Sequence, residues 1–506
     1  MTMQRPAHWI LMRIVLTATI VASVPRIASA HVALRTSVPA HGARLSVAPQ
    51  DLRLTFSEVP ELAVTRIVLI GPDGTVIPLD ALRSAPDSQQ VVVARIAGSL
   101  MAGAYTVRWQ IAGQDGHPVR GRVAFTISAG AAGLGVVPEA GVESTVVAPP
   151  ADRTPTPAPQ PNEPQTEPTA PETTAAFDAG SPLYVAIRWL TFAGILLSVG
   201  AVAFHYAVLG TLRRRPNAFP AMLTSASARA ARIGSWAALT LIVAALLRLF
   251  AQSYALFGVE GFLGLEGIGI LVGTTVWGAG WMLQLVSALV LLVALRRRRL
   301  LQPAWGLALV AAVALAFTPA LSGHAASVPG ISWLAVLSDG LHVTGAAGWV
   351  GSLFIVLVAG IPAAMALTED EQGPAVAALI NAFSPTALVF AALATATGVF
   401  AAWLHVGSVN AIWQSQYGQT LMVKLAVLSI VAATGAYNWR RVKPRLGDAL
   451  GTQRLRRSAK LEVIVAVLVL LVTAVLVATP PATEGHEQSM SDVSRSPSSA
   501  PVASFR

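Results

Sequence analysis

Eight long apolar runs occupy residues 183–480, and they constrain this chain more than any other feature. They fall at about 184–209, 232–252, 276–295, 303–321, 333–360, 380–404, 419–439 and 460–480, each near the roughly 20 residues a helix needs to cross a bilayer. In hydrocarbon every backbone polar group must be satisfied within the segment itself, so the runs predict an all-α bundle of about eight transmembrane helices. The chain as a whole is 54% hydrophobic and 12% charged, and the excess of apolar residues is confined to this half.

Much of the net charge of +10 sits in short clusters between the runs: Arg213–Arg215, Arg296–Arg299, Arg440–Lys443 and Arg454–Lys460. Clusters that flank spans orient helices by the positive-inside rule. A nucleic-acid partner would instead need a basic folded face, and none is expected. With the amino-terminal part outside, the clusters after runs one and three and between runs seven and eight all fall inside. The expectation is a multi-pass protein of the inner (cytoplasmic) membrane, with a disordered tail at 481–506 on the extracytoplasmic, periplasmic side. The Gly-rich stretch Leu256–Val272 is expected along the outer interface.

The first 30 residues read as a secretory signal. Arg5 and Arg13 bracket its start, Ile14–Val24 is a short apolar core, and Ala28-Ser29-Ala30 is a small-residue cleavage site. Cleavage there makes His31 the new terminus, where its α-amine and imidazole can chelate one metal. Asp115-Gly116-His117 supplies a carboxylate and a second imidazole, with Gly116 allowing a tight path and Pro118 stiffening the exit. Three nitrogens and one oxygen suit tetragonal Cu(II). The chain has no cysteine, which excludes thiolate metal sites and disulfides. Glu58, His41 and Met101 are weaker candidates; His41, in a Pro-Ala-His-Gly turn, reads as solvated.

Residues 31–128 carry soluble-domain patterning. Asp51–Ser57 alternates, Thr65–Ile70 and Val91–Ile96 are β-rich, and Tyr105, Val107, Trp109 and Ile111 share one face of a strand. With Arg122–Ile127, about seven short strands predict an all-β, Ig-like sandwich or barrel. Residues 129–181, dense in Pro, Thr and Glu from Pro138 onward, form a linker.

Three stretches of this domain, HVALRTSVPAHGARL at 31–45, LRLTFSE at 52–58 and YTVRWQIAGQDGHPVRGRVAFTI at 105–127, resemble the periplasmic copper-binding CopC family. The resemblance implies that His31, Asp115 and His117 hold Cu(II), and the methionine-rich Cu(I) segment of some members is missing here. Residues 183–480 resemble the CopD family through SGHA at 322–325, SDGLHVTGAAGWVGSL at 338–353, FSPTALV at 383–389, ATG at 396–398 and YGQTLMVKLAVL at 417–428, with Asn438 and Glu462 also in place. Together these imply a fused CopC–CopD copper-resistance or copper-import protein, with the family pointing to uptake.

Titratable groups inside spans are costly and mark functional paths. Asp339 and His342 are three apart on one helix face, about 9 and 14 Å from a helix start at 333. His324 and His405 fall at the outer ends of the fourth and sixth spans, so three histidines and one carboxylate are expected in the outer half of the bundle. Lys424 is expected to meet a carboxylate such as Asp339, and His205 to be a packing residue.

The function expected is capture of Cu(II) outside and passage across the membrane, with copper ion, the lipid bilayer and a periplasmic copper donor as partners. A second reading is copper sequestration, with the membrane half as anchor. A third is a histidine-brace copper oxygenase, disfavoured because Asp115 fills a position oxygen would need. A haem-carrying oxidoreductase ranks lower still, because the histidines do not form facing pairs. No enzymatic activity is expected, and no P-loop for ATP-driven pumping is present.

Overall fold

A computed structural model of the protein describes residues 33–113, 116, 118–128, 181–215, 219–300, 303–321, 332–406, 408–437, 440, 465 and 467–477. The chain divides into a β-unit and a helical unit.

Nine strands build the β-unit: β1 (Leu34–Val38), β2 (Ala43–Leu45), β3 (Asp51–Phe56), β4 (Arg66–Ile70), β5 (Val76–Ile77), β6 (Arg83–Ala85), β7 (Ser88–Arg95), β8 (Gly103–Ala112) and β9 (Pro118–Ile127). They form two sheets, β1-β3-β7-β6 and β2-β9-β8-β4-β5. β2 runs parallel to β9, whereas β1–β3, β3–β7 and β4–β8 are antiparallel. The alternation read from the sequence determines what is buried. Leu52, Leu54 and Phe56 of β3 turn inward, as do Tyr105, Val107, Trp109 and Ile111 of β8. The rings interlock: Trp109 meets Phe56 edge-on at 5.4 Å, and Tyr105 stacks on Phe125 at 5.3 Å. Among the described residues there are nine strands where about seven were expected; β2, β5 and β6 span only two or three residues, too few for a period-2 signal.

The helical unit contains α1 (Pro182–Arg213), α2 (Pro220–Gly261), α3 (Leu265–Thr274), α4 (Val276–Arg296), α5 (Ala304–Leu321), α6 (Trp333–Ala364), α7 (Glu369–Val406), α8 (Ala411–Gln414), α9 (Gln416–Tyr437) and α10 (Val467–Leu476). Six of them, α1, α2 and α4 to α7, are long and apolar enough to cross a membrane. The seventh and eighth expected runs correspond to α9 and to the shorter α10, part of whose run lies outside the described residues. Within Leu256–Val272, the stretch expected along the outer interface, the helix breaks at Gly258 (φ 70°) before a short turn to Gly261, and the chain then enters α3.

Local chemistry starts these helices. Ser181 Oγ accepts from the Tyr184 N–H with Pro182 in the first turn of α1, and Thr275 Oγ1 accepts from the Gly278 N–H at the start of α4. α1 carries one π-turn at Phe204–Val208 and α6 carries two, at Ala347–Gly351 and Val356–Gly360. The two helices cross with backbones in contact. A Cβ on Gly200 would lie 2.3 Å from the carbonyl carbon of Gly351.

Cross-contacts establish the two ends of the bundle. At one end, the end of α1 meets the start of α2 through His205 and Ser227, and the start of α5 through His205 and Trp305. Arg296, closing α4, lies over Trp236 of α2. Arg213–Arg215 and Arg296–Arg299 therefore share that end. At the other end, Phe317 and Ala320 near the close of α5 pack on Gly340 and Ala335 of α6, joined by Leu404 at the close of α7. Asp339 and His342 stand in this second half, away from both arginine clusters.

Candidate metal centre

Between β8 and β9 the described residues are Gly113 and Gly116. The Gly116 N–H donates to the Gly113 carbonyl at 2.9 Å. Gly116 sits at φ 82°, a left-handed conformation that suits glycine and strains other residues. Just outside the loop, Arg120 Nε donates to Gln110 Oε1 at 2.8 Å. Gly121 leaves room for the Trp109 indole, which a Cβ there would approach to 2.2 Å.

The chain's entry is anchored too. The Ala33 N–H donates to Ser57 Oγ at 2.8 Å, and the Ser57 N–H donates to the Ala33 carbonyl at 2.9 Å. Gln90 Nε2 holds the Ser57 carbonyl at 3.1 Å. Phe56, next to Ser57, packs on Trp109 of β8, the strand leading into the loop. Ala33 is two residues beyond His31, a reach of roughly 7 Å. The side chains of His31, Asp115 and His117 lie outside the described residues, as does His324.

Two of the weaker candidates, His41 and Met101, have hydrogen bonds of their own. His41 Nδ1 accepts from the Ala124 N–H at 3.1 Å, which ties its turn to β9. Met101 is exposed, and its carbonyl accepts from the Tyr105 hydroxyl at 2.7 Å.

In the helical unit one polar cluster spans three helices. Asp339 and His342 come from α6, Thr397 from α7, and Tyr417 and Lys424 from α9. His342 Nδ1 lies 2.9 Å from the Ala394 carbonyl and 3.4 Å from Thr397 Oγ1. Asp339 is within electrostatic reach of Lys424 and Tyr417, and Lys424 within reach of His342. The carboxylate expected to face Lys424 is thus Asp339. A cation arriving here meets the Asp339 carboxyl group, which has the Lys424 amine within reach, and the His342 imidazole one helical turn away. Of His405, only the backbone in the last turn of α7 is described. Among the described residues no three His, Asp or Glu side chains converge to hold a metal.

His205 is different. Its Nδ1 pairs with Ser227 Oγ at 3.1 Å, Arg213 Nη1 donates toward its Nε2 at 3.5 Å, and its ring stacks on Trp305 at 3.6 Å. Both nitrogens are engaged and a guanidinium is adjacent, an arrangement that repels metal cations. The packing role read from the sequence agrees with this geometry.

The model for the CopC domain matches residues 34–128, that for the copper resistance protein D-like N-terminal domain matches 177–334, and that for copper resistance protein D matches 377–476. This chain is a fused CopC–CopD copper-resistance family protein. Copper resistance protein C of Pseudomonas syringae pv. tomato is 31% identical to it over 109 residues, 21% of this chain and 86% of that protein. The copper transport protein CutJ of Bacillus subtilis (strain 168) is 24% identical over 493 residues, 94% of this chain and 78% of that one. The crystal structure of PcoC, a methionine-rich copper resistance protein from Escherichia coli, is 26% identical, covers 20% of this chain and 100% of that one, and has a TM-score of 0.18. The fused CopC–CopD chain is thereby a multi-pass membrane protein of a copper transport and resistance family. Its Asp339 and His342 lie at 335–376, between the two membrane-domain matches.

Sequence reading gave no role to Ala394, Thr397 and Gly398 around His342, nor to Ser57 and Gly121 near the β8–β9 loop, and it assigned Trp109 only to one face of its strand. Thr397 and Gly398 lie within the quoted ATG stretch, and Trp109 and Gly121 within the quoted strand pair, so the signal was present without its geometry.

Proposed function

We propose that this protein imports copper. After removal of residues 1–30, the β-domain at 31–128 binds Cu(II) through the α-amine and imidazole of His31 with Asp115 and His117, receiving the metal from a periplasmic donor. The linker at 129–181 tethers it to the membrane domain at 182–480. Copper then passes inward across the cytoplasmic membrane through Asp339 and His342, with His324 and His405 at the outer mouth. The β-domain and the tail at 481–506 face the periplasm.

One observation carries this reading. Asp339 and His342 stand in the half of the bundle opposite Arg213–Arg215 and Arg296–Arg299. The positive-inside rule assigns the arginine end to the cytoplasm, so the titratable pair faces the side on which an exported copper-binding domain would work. Asp339 and His342 supply a harder set than a thiolate or methionine ladder, and moderate binding at successive sites permits release.

The test compares copper content in cells with and without the protein at limiting external copper, alongside a His342→Ala variant. Import predicts more cell copper with the intact protein and loss of that gain in the variant. Unchanged or lower cytoplasmic copper overturns import and leaves sequestration. Amino-terminal sequencing of the mature protein must find His31 first.

A further inference from the structure

Resting on the reading that His342 lies on the copper path, we propose that α7 positions His342, so that its Nε2 is the nitrogen offered to the metal. The argument begins with the approach of two helices. A Cβ on Gly345 of α6 would lie 2.7 Å from the Ala394 nitrogen and 2.9 Å from the Phe390 carbonyl, and one on Gly348 would lie 2.4 Å from the Phe390 ring. Only glycine lets α6 and α7 touch here, the small-residue packing that holds helices together in lipid. That closeness brings the His342 ring against the α7 backbone one turn earlier on α6.

The partners there determine the tautomer. A carbonyl oxygen accepts and cannot donate, so the Ala394 carbonyl at 2.9 Å requires a proton on Nδ1. The Thr397 hydroxyl spends its proton on the Leu393 carbonyl at 2.7 Å, which turns an oxygen lone pair toward Nδ1 at 3.4 Å. Both contacts ask for Nδ1–H. In the neutral ring the lone pair then belongs to Nε2, on the opposite edge. Gly398 closes the seat: a Cβ there would lie 3.0 Å from His342 Cε1 and 3.3 Å from Nδ1, tight enough that the ring must give by a few tenths of an ångström. A backbone carbonyl on the second nitrogen is a recurrent way to orient a metal-binding imidazole. Ala394, Thr397 and Gly398 are accordingly positioning residues, and they give the ATG stretch at 396–398 a physical role.

The experiment uses the full-length protein in lipid nanodiscs with ¹⁵N-labelled histidine, His342→Ala identifying the signal. The expected result is an Nδ1–H, Nε2-unprotonated pattern in metal-free protein, with Nε2 alone moved by Ag(I) or Zn(II), diamagnetic stand-ins for Cu(I) and Cu(II). In cells, Gly398→Ala raises the copper concentration for half-maximal uptake on the order of 10-fold, the scale of outer-shell substitutions at metal sites. Thr397→Val raises it less, and Thr397→Ser restores it. An Nε2–H pattern, or uptake unmoved by Gly398→Ala while His342→Ala still abolishes it, overturns the positioning role and leaves the import reading standing. Nδ1–H with neither nitrogen moved by either ion, and uptake indifferent to His342→Ala, removes His342 from the path and takes both readings down.

Discussion

Two histidines in this bundle lie on helices with π-turns, at opposite ends, and the same side chain meets contrasting surroundings at each. His205, at the arginine end, has both nitrogens occupied by Ser227 and Arg213 and its face covered by Trp305. His342, in the other half, is held from one side by the Ala394 carbonyl and Thr397, near Asp339 and Lys424. A saturated imidazole beside a guanidinium is a brace between helices. On the import proposal, an imidazole held at one nitrogen on the same helix face as a carboxylate is available as a ligand. What separates them is their neighbours, most of them supplied by other helices, since both sit in long apolar runs.

The sharpest way to break this contrast is to truncate each ring in turn. His342→Ala should abolish protein-dependent copper accumulation, whereas His205→Ala should leave uptake per folded molecule unchanged; equal loss in both erases the distinction. Next in size, Asp339→Asn should lower uptake on the order of 10-fold while the protein still reaches the membrane, because it removes the anionic step of the path and leaves Lys424 without its counter-charge. Lys424→Met should move the other way. Without the competing ammonium, the concentration for half-maximal copper uptake should fall by a few-fold, and a rise would mean that Lys424 assists copper instead of opposing it.

Smaller effects belong to the brace. His205→Ala should cost about 2–4 kcal/mol of stability, combining a cavity with lost buried hydrogen bonds, and thermal unfolding in nanodiscs reads this. Ser227→Ala removes one of the two partners and should cost about 1 kcal/mol, with uptake unchanged. A change in copper handling on Ser227→Ala would assign the arginine end a role in transport.

Much of the architecture was legible in advance. Period-2 alternation is a local property, so the inward faces of β3 and β8 follow from Asp51–Phe56 and Tyr105–Ile111 alone. Long apolar runs are equally local, and the spans at α4 and α5 match the expected 276–295 and 303–321 almost residue for residue. Helix ends were less legible. α2 starts at Pro220 and α7 at Glu369, well before their apolar runs, because polar turns extend a helix without changing its hydropathy. The face shared by Asp339 and His342 follows from their spacing, and so did the expectation that Asp339 would meet Lys424.

The partners of His342 were another matter. Ala394 lies 52 residues away and contributes a carbonyl, which every residue has and no side chain announces. Whether that carbonyl is reached depends on how closely α6 and α7 approach, and in lipid that distance follows from steric fit at Gly345, Gly348 and Phe390 instead of hydropathy. The same holds in the β-domain, where the Phe56–Trp109 contact ties the anchored chain entry at Ala33 to the strand feeding the β8–β9 loop. Residue identity and spacing name candidate copper ligands and apolar segments near the length a membrane span needs, because both are read from near neighbours in the chain. Which nitrogen of which histidine is presented depends on contacts between distant segments, and only the packed structure brings those into being.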